Sequence, residues 1–135
     1  LNLSLGGTGE SPMIHDLIRV ARERGVIVVA AAGNDPVSIP TYPAAYPEVI
    51  AVTATTPGGQ IASYASRGDF VDVAAPGTSL IPFNGQTYLV VGTSAATAHV
   101  SALAASYMSS TGGNAAEVEA RIRQSLAVDV GAGGP

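Results

Sequence analysis

The sequence predicts an α/β layered domain built on a mostly parallel sheet. Val26 to Ala32 is an unbroken apolar run rich in β-branched residues, the composition of a strand covered on both faces. Helically spaced apolar residues precede it and further short apolar runs follow it, so that strand and helix alternate along the chain. No internal repeat or linker divides the 135 residues, a length that suits one compact domain.

Leu1 to Leu5 reads as a short buried strand, broken by Gly6-Gly7-Thr8-Gly9. Between Glu10 and Arg24 the apolar residues Met13, Ile14, Leu17, Ile18 and Ala21 share one helical face, and Gly25 is placed to end the helix. The Val26–Ala32 strand stops at the turn Gly33-Asn34-Asp35-Pro36. Tyr42-Pro43 to Tyr46-Pro47 is too proline-rich for regular structure and reads as an ordered loop. Val49 to Thr53 is a second buried strand and Phe70 to Ala74 a third, ended by Pro76-Gly77. Ser79 to Phe83 and Gln86 to Val91 flank Asn84-Gly85, the favoured two-residue turn of a β-hairpin. Ala95 to Met108 is alanine-rich and predicts a buried helix; Ala115 to Leu126 predicts an amphipathic one, and Gly131 to Pro135 a frayed tail.

Composition removes several functions. Hydrophobic residues make up 47% of the chain and charged residues only 12%, which argues against disorder. The formal net charge is -4 and no basic cluster exists, so nucleic-acid binding has little to work with. No apolar run approaches the roughly 20 residues of a membrane span. With no cysteine, disulfides, thiolate metal sites and a cysteine nucleophile are excluded. No charged leader is visible, and a chain that opens inside a strand looks like a processed or excised segment.

Three features can carry chemistry. Gly92-Thr93-Ser94 opens the alanine-rich helix, which puts the Ser94 hydroxyl beside unsatisfied N–H groups at the positive end of the helix dipole. That suits a nucleophile whose attack creates an oxyanion, although serine there is equally an ordinary N-cap. Asn34 lies beyond the carboxyl end of the most apolar strand, where α/β sheets bind ligands, and its amide could donate to a developing negative charge. A turn asparagine is the plainer reading. Ser4-Leu5-Gly6-Gly7 could accept an extended peptide by strand addition, could be a simple turn, or could cradle phosphate. Gly6, Gly7 and Gly9 do not fit the G-x-G-x-x-G spacing of a dinucleotide site.

The combination and order of these segments resemble the C-terminal part of a subtilisin-like serine protease (subtilase) catalytic domain. The segments that match are Asn2-Leu3-Ser4-Leu5-Gly6-Gly7, Ala31-Ala32-Gly33-Asn34, the run from Tyr42-Pro43-Ala44-Ala45-Tyr46-Pro47 to Val52, and Tyr64-Ala65-Ser66-Arg67-Gly68. Val71-Asp72-Val73-Ala74-Ala75-Pro76-Gly77 and the run from Gly92-Thr93-Ser94 to Val100 complete them. The resemblance implies a three-layer subtilisin-like fold whose N-terminal strands are missing from this chain. It implies that Ser94 is the nucleophile, and that Asn34 joins the Ser94 N–H in an oxyanion hole. Ser4, Leu5 and Gly6 match the strand that pairs with substrate backbone; Gly7, Ala31, Ala32 and Gly33 match the walls of the primary specificity pocket. No cofactor is required. Ala44, Tyr46, Val49 and Asp72 match a cation site that some subtilases build from three carbonyls and a carboxylate, a donor set suited to calcium, though the loop can also close without metal.

Departures are Ala95 for a frequent methionine, Ala98 for the usual proline, which should alter how the helix carries on past its first turn, and Ala102 for a usual glycine. The larger one is an absence. The family's Asp-Thr/Ser-Gly and His-Gly-Thr segments do not occur, and the chain's two histidines offer no substitute. His15 reads as a surface residue, and His99 lies about half a turn off the Ser94 face and matches a structural histidine. Three readings follow. The chain is part of a subtilisin-type endopeptidase, inactive by itself, whose Asp and His come from a missing N-terminal half. Alternatively it is a catalytically dead pseudoprotease that binds peptide or serves as a scaffold, or a nucleotide-binding α/β domain using Gly6 to Gly9. A short sheet also predicts exposed apolar surface, hence self-association or a partner chain. The resemblance favours secretion.

Overall fold

The structure is a computed structural model that describes residues 1–128. The expected tail, Gly131 to Pro135, lies outside the described residues. Four strands form one parallel sheet in sequence order: β1 (Asn2–Leu3), β2 (Val28–Ala31), β3 (Val49–Thr55) and β4 (Val73–Pro76). Helix α1 (Pro12–Glu23) joins β1 to β2. After β4 come the antiparallel hairpin β5 (Thr78–Phe83) and β6 (Gln86–Val91), then helices α2 (Thr93–Thr111) and α3 (Ala115–Ser125).

The strand period of two divides the sheet into two faces. Val28 and Ala30 of β2 with Val49 and Ala51 of β3 pack with Ile18 of α1 and with Tyr46. The intervening residues Val29, Ile50, Val52 and Ala54 pack against Ala96, Val100 and Ala104 of α2 and Val118 and Ile122 of α3. The result is three layers, with α1 on one face and α2 and α3 on the other. Asn114 caps α3 in a capping box with Glu117, and Ser11 caps α1 by accepting from the Ile14 N–H.

Several elements differ from expectation. The first strand is only two residues long and is not buried: Leu1 is 61% and Leu5 62% exposed. It is the edge strand, bonded to β2 alone, and no described element covers it on the far side. The strand expected from Phe70 starts instead at Val73, because Gly68 to Val71 closes as a turn with Val71 N–H donating to Gly68 C=O at 3.0 Å. Helix α2 buries only one face: Ala96, Thr97, Val100 and Ala104 are inside, while Ala98, His99, Ala102 and Ala105 face outward. It runs unbroken past Ala98. The Asn84-Gly85 hairpin is as expected, with both turn residues at positive φ (48° and 75°).

Candidate active site

Two loops meet at the carboxyl end of the sheet. β2 delivers Ala31, Ala32, Gly33 and Asn34; the end of β6 delivers Gly92, Thr93 and Ser94 at the start of α2. Thr93, buried between them, ties the two together. Its hydroxyl accepts from the Gly33 N–H at 3.3 Å and donates to Asn34 Oδ1 at 3.0 Å, and its backbone N–H donates to the same oxygen at 2.9 Å. These two donations fix which end of the Asn34 amide is oxygen, so Nδ2 is turned the other way as a donor. The Ser94 N–H is one of the first four of α2 and has no intrahelical acceptor. The Ser94 N–H thus stands at the positive end of a 19-residue helix, and Asn34, with Nδ2 as a donor, lines the same cavity as Ser94.

Glycine is required at two of these joints. Gly92 caps α2 with φ 151°, and a Cβ there would stand 3.3 Å from Asn34 Nδ2. Gly33 has φ 110°, and its Cβ would meet Ser66 Oγ at 2.9 Å.

Ser94 opens onto a cavity of about 370 Å³. Of the residues matched to substrate binding, Ser4, Leu5, Gly6, Gly7, Ala31 and Gly33 line it; Asn34 lines it as well. Ala32 does not. The strand alternation that turns Ala31 and Gly33 toward the cavity turns Ala32 away, where it is fully buried with its carbonyl accepting from Thr41 Oγ1 at 2.8 Å. Ser4 to Gly6 continue beyond β1 with no paired strand, and Gly7 bridges to Tyr42 through Gly7 N–H to Tyr42 C=O at 3.0 Å and Tyr42 N–H to Gly7 C=O at 2.7 Å. That bridge consumes an N–H a phosphate-cradling loop would need. Thr93, Thr41 and Ser66 are the positioning residues that sequence reasoning did not single out. Thr93, within Gly92-Thr93-Ser94, and Ser66, within Tyr64-Ala65-Ser66-Arg67-Gly68, carried signals that could have found them; Thr41 carried none.

The histidines stand apart from this cluster. His15 is not a free surface residue: its ring stacks on Tyr46 with centroids 4.1 Å apart, and Nε2 is 2.8 Å from Glu48 Oε2. Burial raises the pKa of Glu48, but hydrogen bonds from His15 and from its own backbone, with the charges of His15 and Arg19, outweigh it and the net shift is downward. Nearby, the Tyr42 hydroxyl donates to Glu10 Oε1 at 2.7 Å, and that hydrogen bond, with burial and the Glu10 charge, raises its pKa. His99 is exposed on α2, about 140° around the helix from Ser94 for five residues at 3.6 per turn.

Three of the four residues matched to a cation site already hold partners within the protein. Asp72 is ion-paired with Arg123, Val49 C=O accepts from Arg123 Nη2 at 2.9 Å, and Tyr46 C=O accepts from Val49 N–H at 3.0 Å. Among the described residues no group of three or more His, Cys, Asp or Glu side chains could hold a metal.

Residues 1–131 match the sequence model of the Subtilase family. Minor extracellular protease Epr of Bacillus subtilis (strain 168) is 44% identical over 106 residues, 76% of this chain and 16% of that protein. Thermitase of Thermoactinomyces vulgaris is 39% identical over 124 residues, 90% of this chain and 44% of that protein. Among solved structures, S41 Psychrophilic Protease superposes with a TM-score of 0.79 at 31% identity, covering 91% of this chain and 47% of that one. The chain thus spans less than half the length of these relatives.

Proposed function

The chain belongs to the Subtilase family of subtilisin-type serine proteases, and from that premise we propose that it supplies the nucleophile and oxyanion hole of a peptide-bond hydrolase. The Asp and His of the triad come from outside its 135 residues. The observation that carries this reading is Thr93 holding Asn34 Oδ1 by two hydrogen bonds, which leaves Nδ2 as a donor on a residue that lines the same cavity as Ser94. A peptide-binding scaffold has no use for that arrangement; a reaction passing through an oxyanion does.

In the proposed reaction an extended peptide lies along Ser4 to Gly6, with one side chain in the cavity. Ser94 Oγ attacks the scissile carbonyl carbon while its proton passes to the external histidine. The C–O bond forms and the carbonyl π pair moves onto oxygen, where Ser94 N–H and Asn34 Nδ2 hold it. Collapse breaks the C–N bond, the amine leaves with the histidine's proton, and water then hydrolyses the acyl-serine. Without a base the chain is nearly inert: in subtilisin itself, losing histidine costs roughly 10⁶ in kcat. His15, tied to Glu48, and His99, on the outer side of α2, do not replace it. Secretion is part of the proposal, supported by the extracellular relative; among the described residues no helix is long and apolar enough to cross a membrane.

The test is intact-mass analysis after treatment with a fluorophosphonate. The chain alone should not be labelled. With a subtilase N-terminal segment added, one adduct on Ser94 is expected, absent in Ser94→Ala. Prompt labelling of the chain alone would place a working base within it. No labelling in the complemented sample would favour the pseudoprotease reading.

A further inference from the structure

We infer that the guanidinium of Arg123 is the resident cation of the loop in which the family resemblance places a metal, and that this chain takes no calcium there. The matched donors are the carbonyls of Ala44, Tyr46 and Val49 and the carboxylate of Asp72. Arg123 reaches two of them: Nη1 pairs with Asp72 Oδ1, and Nη2 donates to Val49 C=O at 2.9 Å. The other oxygen of Asp72 accepts from the Ala51 N–H at 2.8 Å, and the Tyr46 carbonyl takes the Val49 N–H at 3.0 Å. Three of the four donors thereby already accept a hydrogen bond, two of them from Arg123 itself, whereas calcium asks for about six to eight oxygens.

The guanidinium is itself held from behind. Glu119, one helical turn earlier on α3 and buried at 6% exposure, accepts from Arg123 Nε at 3.2 Å and Nη2 at 3.1 Å. A second guanidinium, Arg22 of α1, donates to the same carboxylate oxygen at 2.9 Å and to Glu48 C=O at 3.0 Å. Two arginines face two carboxylates, Glu119 and Asp72, so the cluster is neutral as it stands. A divalent ion beside it would meet two positive charges and, among the described residues, find no unpaired carboxylate. Arginine suits the place because its planar fork offers five N–H donors in a fixed geometry. It joins α3, the start of β3, the loop before β4 and, through Glu119, α1, which is the joining a loop-bound ion would otherwise perform.

The consequence is that calcium and chelators leave the fold of this region unchanged, and that removing Arg123 opens a cation site. The experiment is a calcium titration of the full chain followed by thermal unfolding, with EDTA as the zero point, on the parent, Arg123→Gln and Asp72→Asn. The parent melting temperature should move by less than about 1 °C up to about 10 mM calcium. Arg123→Gln should melt lower in EDTA and recover by on the order of 5 °C in calcium, the response of a site with roughly 10⁻⁴–10⁻³ M affinity. Folding of Arg123→Gln only in the presence of calcium supports the inference equally. A calcium response in the parent that Asp72→Asn abolishes would overturn it, and this arm decides alone if Arg123→Gln does not fold. Equal stability and equal calcium response of Arg123→Gln and the parent would overturn it too.

Discussion

Replacing Gly92 by alanine adds one carbon where neither the backbone nor the Asn34 amide leaves room for it. The residue sits at φ 151° and ψ 172°, a region essentially reserved for glycine, and an L side chain there costs about 1–3 kcal/mol. The new Cβ would stand 3.3 Å from Asn34 Nδ2, 3.5 Å from Oδ1 and 3.7 Å from Cγ, so the amide plane must yield by a few tenths of an ångström. It cannot do so freely, because Thr93 holds Oδ1 with two hydrogen bonds of 2.9 and 3.0 Å. Breaking one of these adds about 1 kcal/mol. Alanine also narrows the unfolded ensemble, which returns about 0.4–1 kcal/mol. The net destabilisation is about 1–3 kcal/mol, or roughly 4–12 °C in melting temperature for a chain of this size. Gly9→Ala is the matched control: it faces open space without a left-handed φ, and should be neutral or slightly stabilising. Thermal unfolding of both variants gives the comparison, and Ser94 phosphonylation in the complemented protein reads the site. A Gly92→Ala protein as stable as Gly9→Ala, labelled at the parent rate, would refute the reasoning, since neither the strain nor the contact with Asn34 would then exist.

Two further outcomes follow from individual contacts. Thr93→Val keeps the shape of the buried side chain but deletes the hydroxyl that joins Gly33 to Asn34; stability should fall by about 1–2 kcal/mol, and complemented labelling of Ser94 should slow by about tenfold or more, both measured on the same sample. Glu48 has a folded pKa below its ordinary value of 4.5, so its contribution is present in full above pH 4.5 and is lost as pH falls through the lowered value. Glu48→Gln should therefore lower stability at neutral pH by under about 1 kcal/mol and converge with the parent as pH falls through the lowered pKa, checked by denaturant midpoints from neutral to acid pH.

How far the sequence spoke depended on how local each signal was. Val28 to Ala31 and Val49 to Val52 declared themselves because a strand covered on both faces must be apolar at every position. Asn84-Gly85 fixed the hairpin because its positive φ angles are a property of two adjacent residues. Leu1 to Leu5 misled for the converse reason: alternation marks a strand but does not say whether a neighbour exists to cover it, and the edge position left Leu1 and Leu5 exposed. His15 carried no sequence sign of its partner, since Glu48 lies 33 residues away and meets it only when α1 packs beside the Tyr42–Val49 loop. Arg123 is the sharpest case. On sequence it is one more basic residue in the last turn of a helix, and only packing 74 residues back onto Val49 makes it an internal cation.

On the proposed reading the oxyanion donors and the base belong to separable parts of the site, so one can be arranged without the other. The hydrogen bonds that orient Asn34 run between the end of β2 and the start of α2, through Thr93. None of them needs a histidine, so the donors are pre-organised whether or not a base is present. In subtilisin itself losing one oxyanion donor costs roughly 10²–10³ in kcat, against roughly 10⁶ for losing the base. On that reading the smaller number is the share of Asn34, and the larger is the share of a histidine from outside these residues. Mutations within the Thr93 relay should therefore scale the rate of a complemented protein without abolishing it, whereas Ser94→Ala should abolish labelling. A Thr93→Val protein as inert as Ser94→Ala, yet still folded, would show that the relay positions the nucleophile as well as the hole.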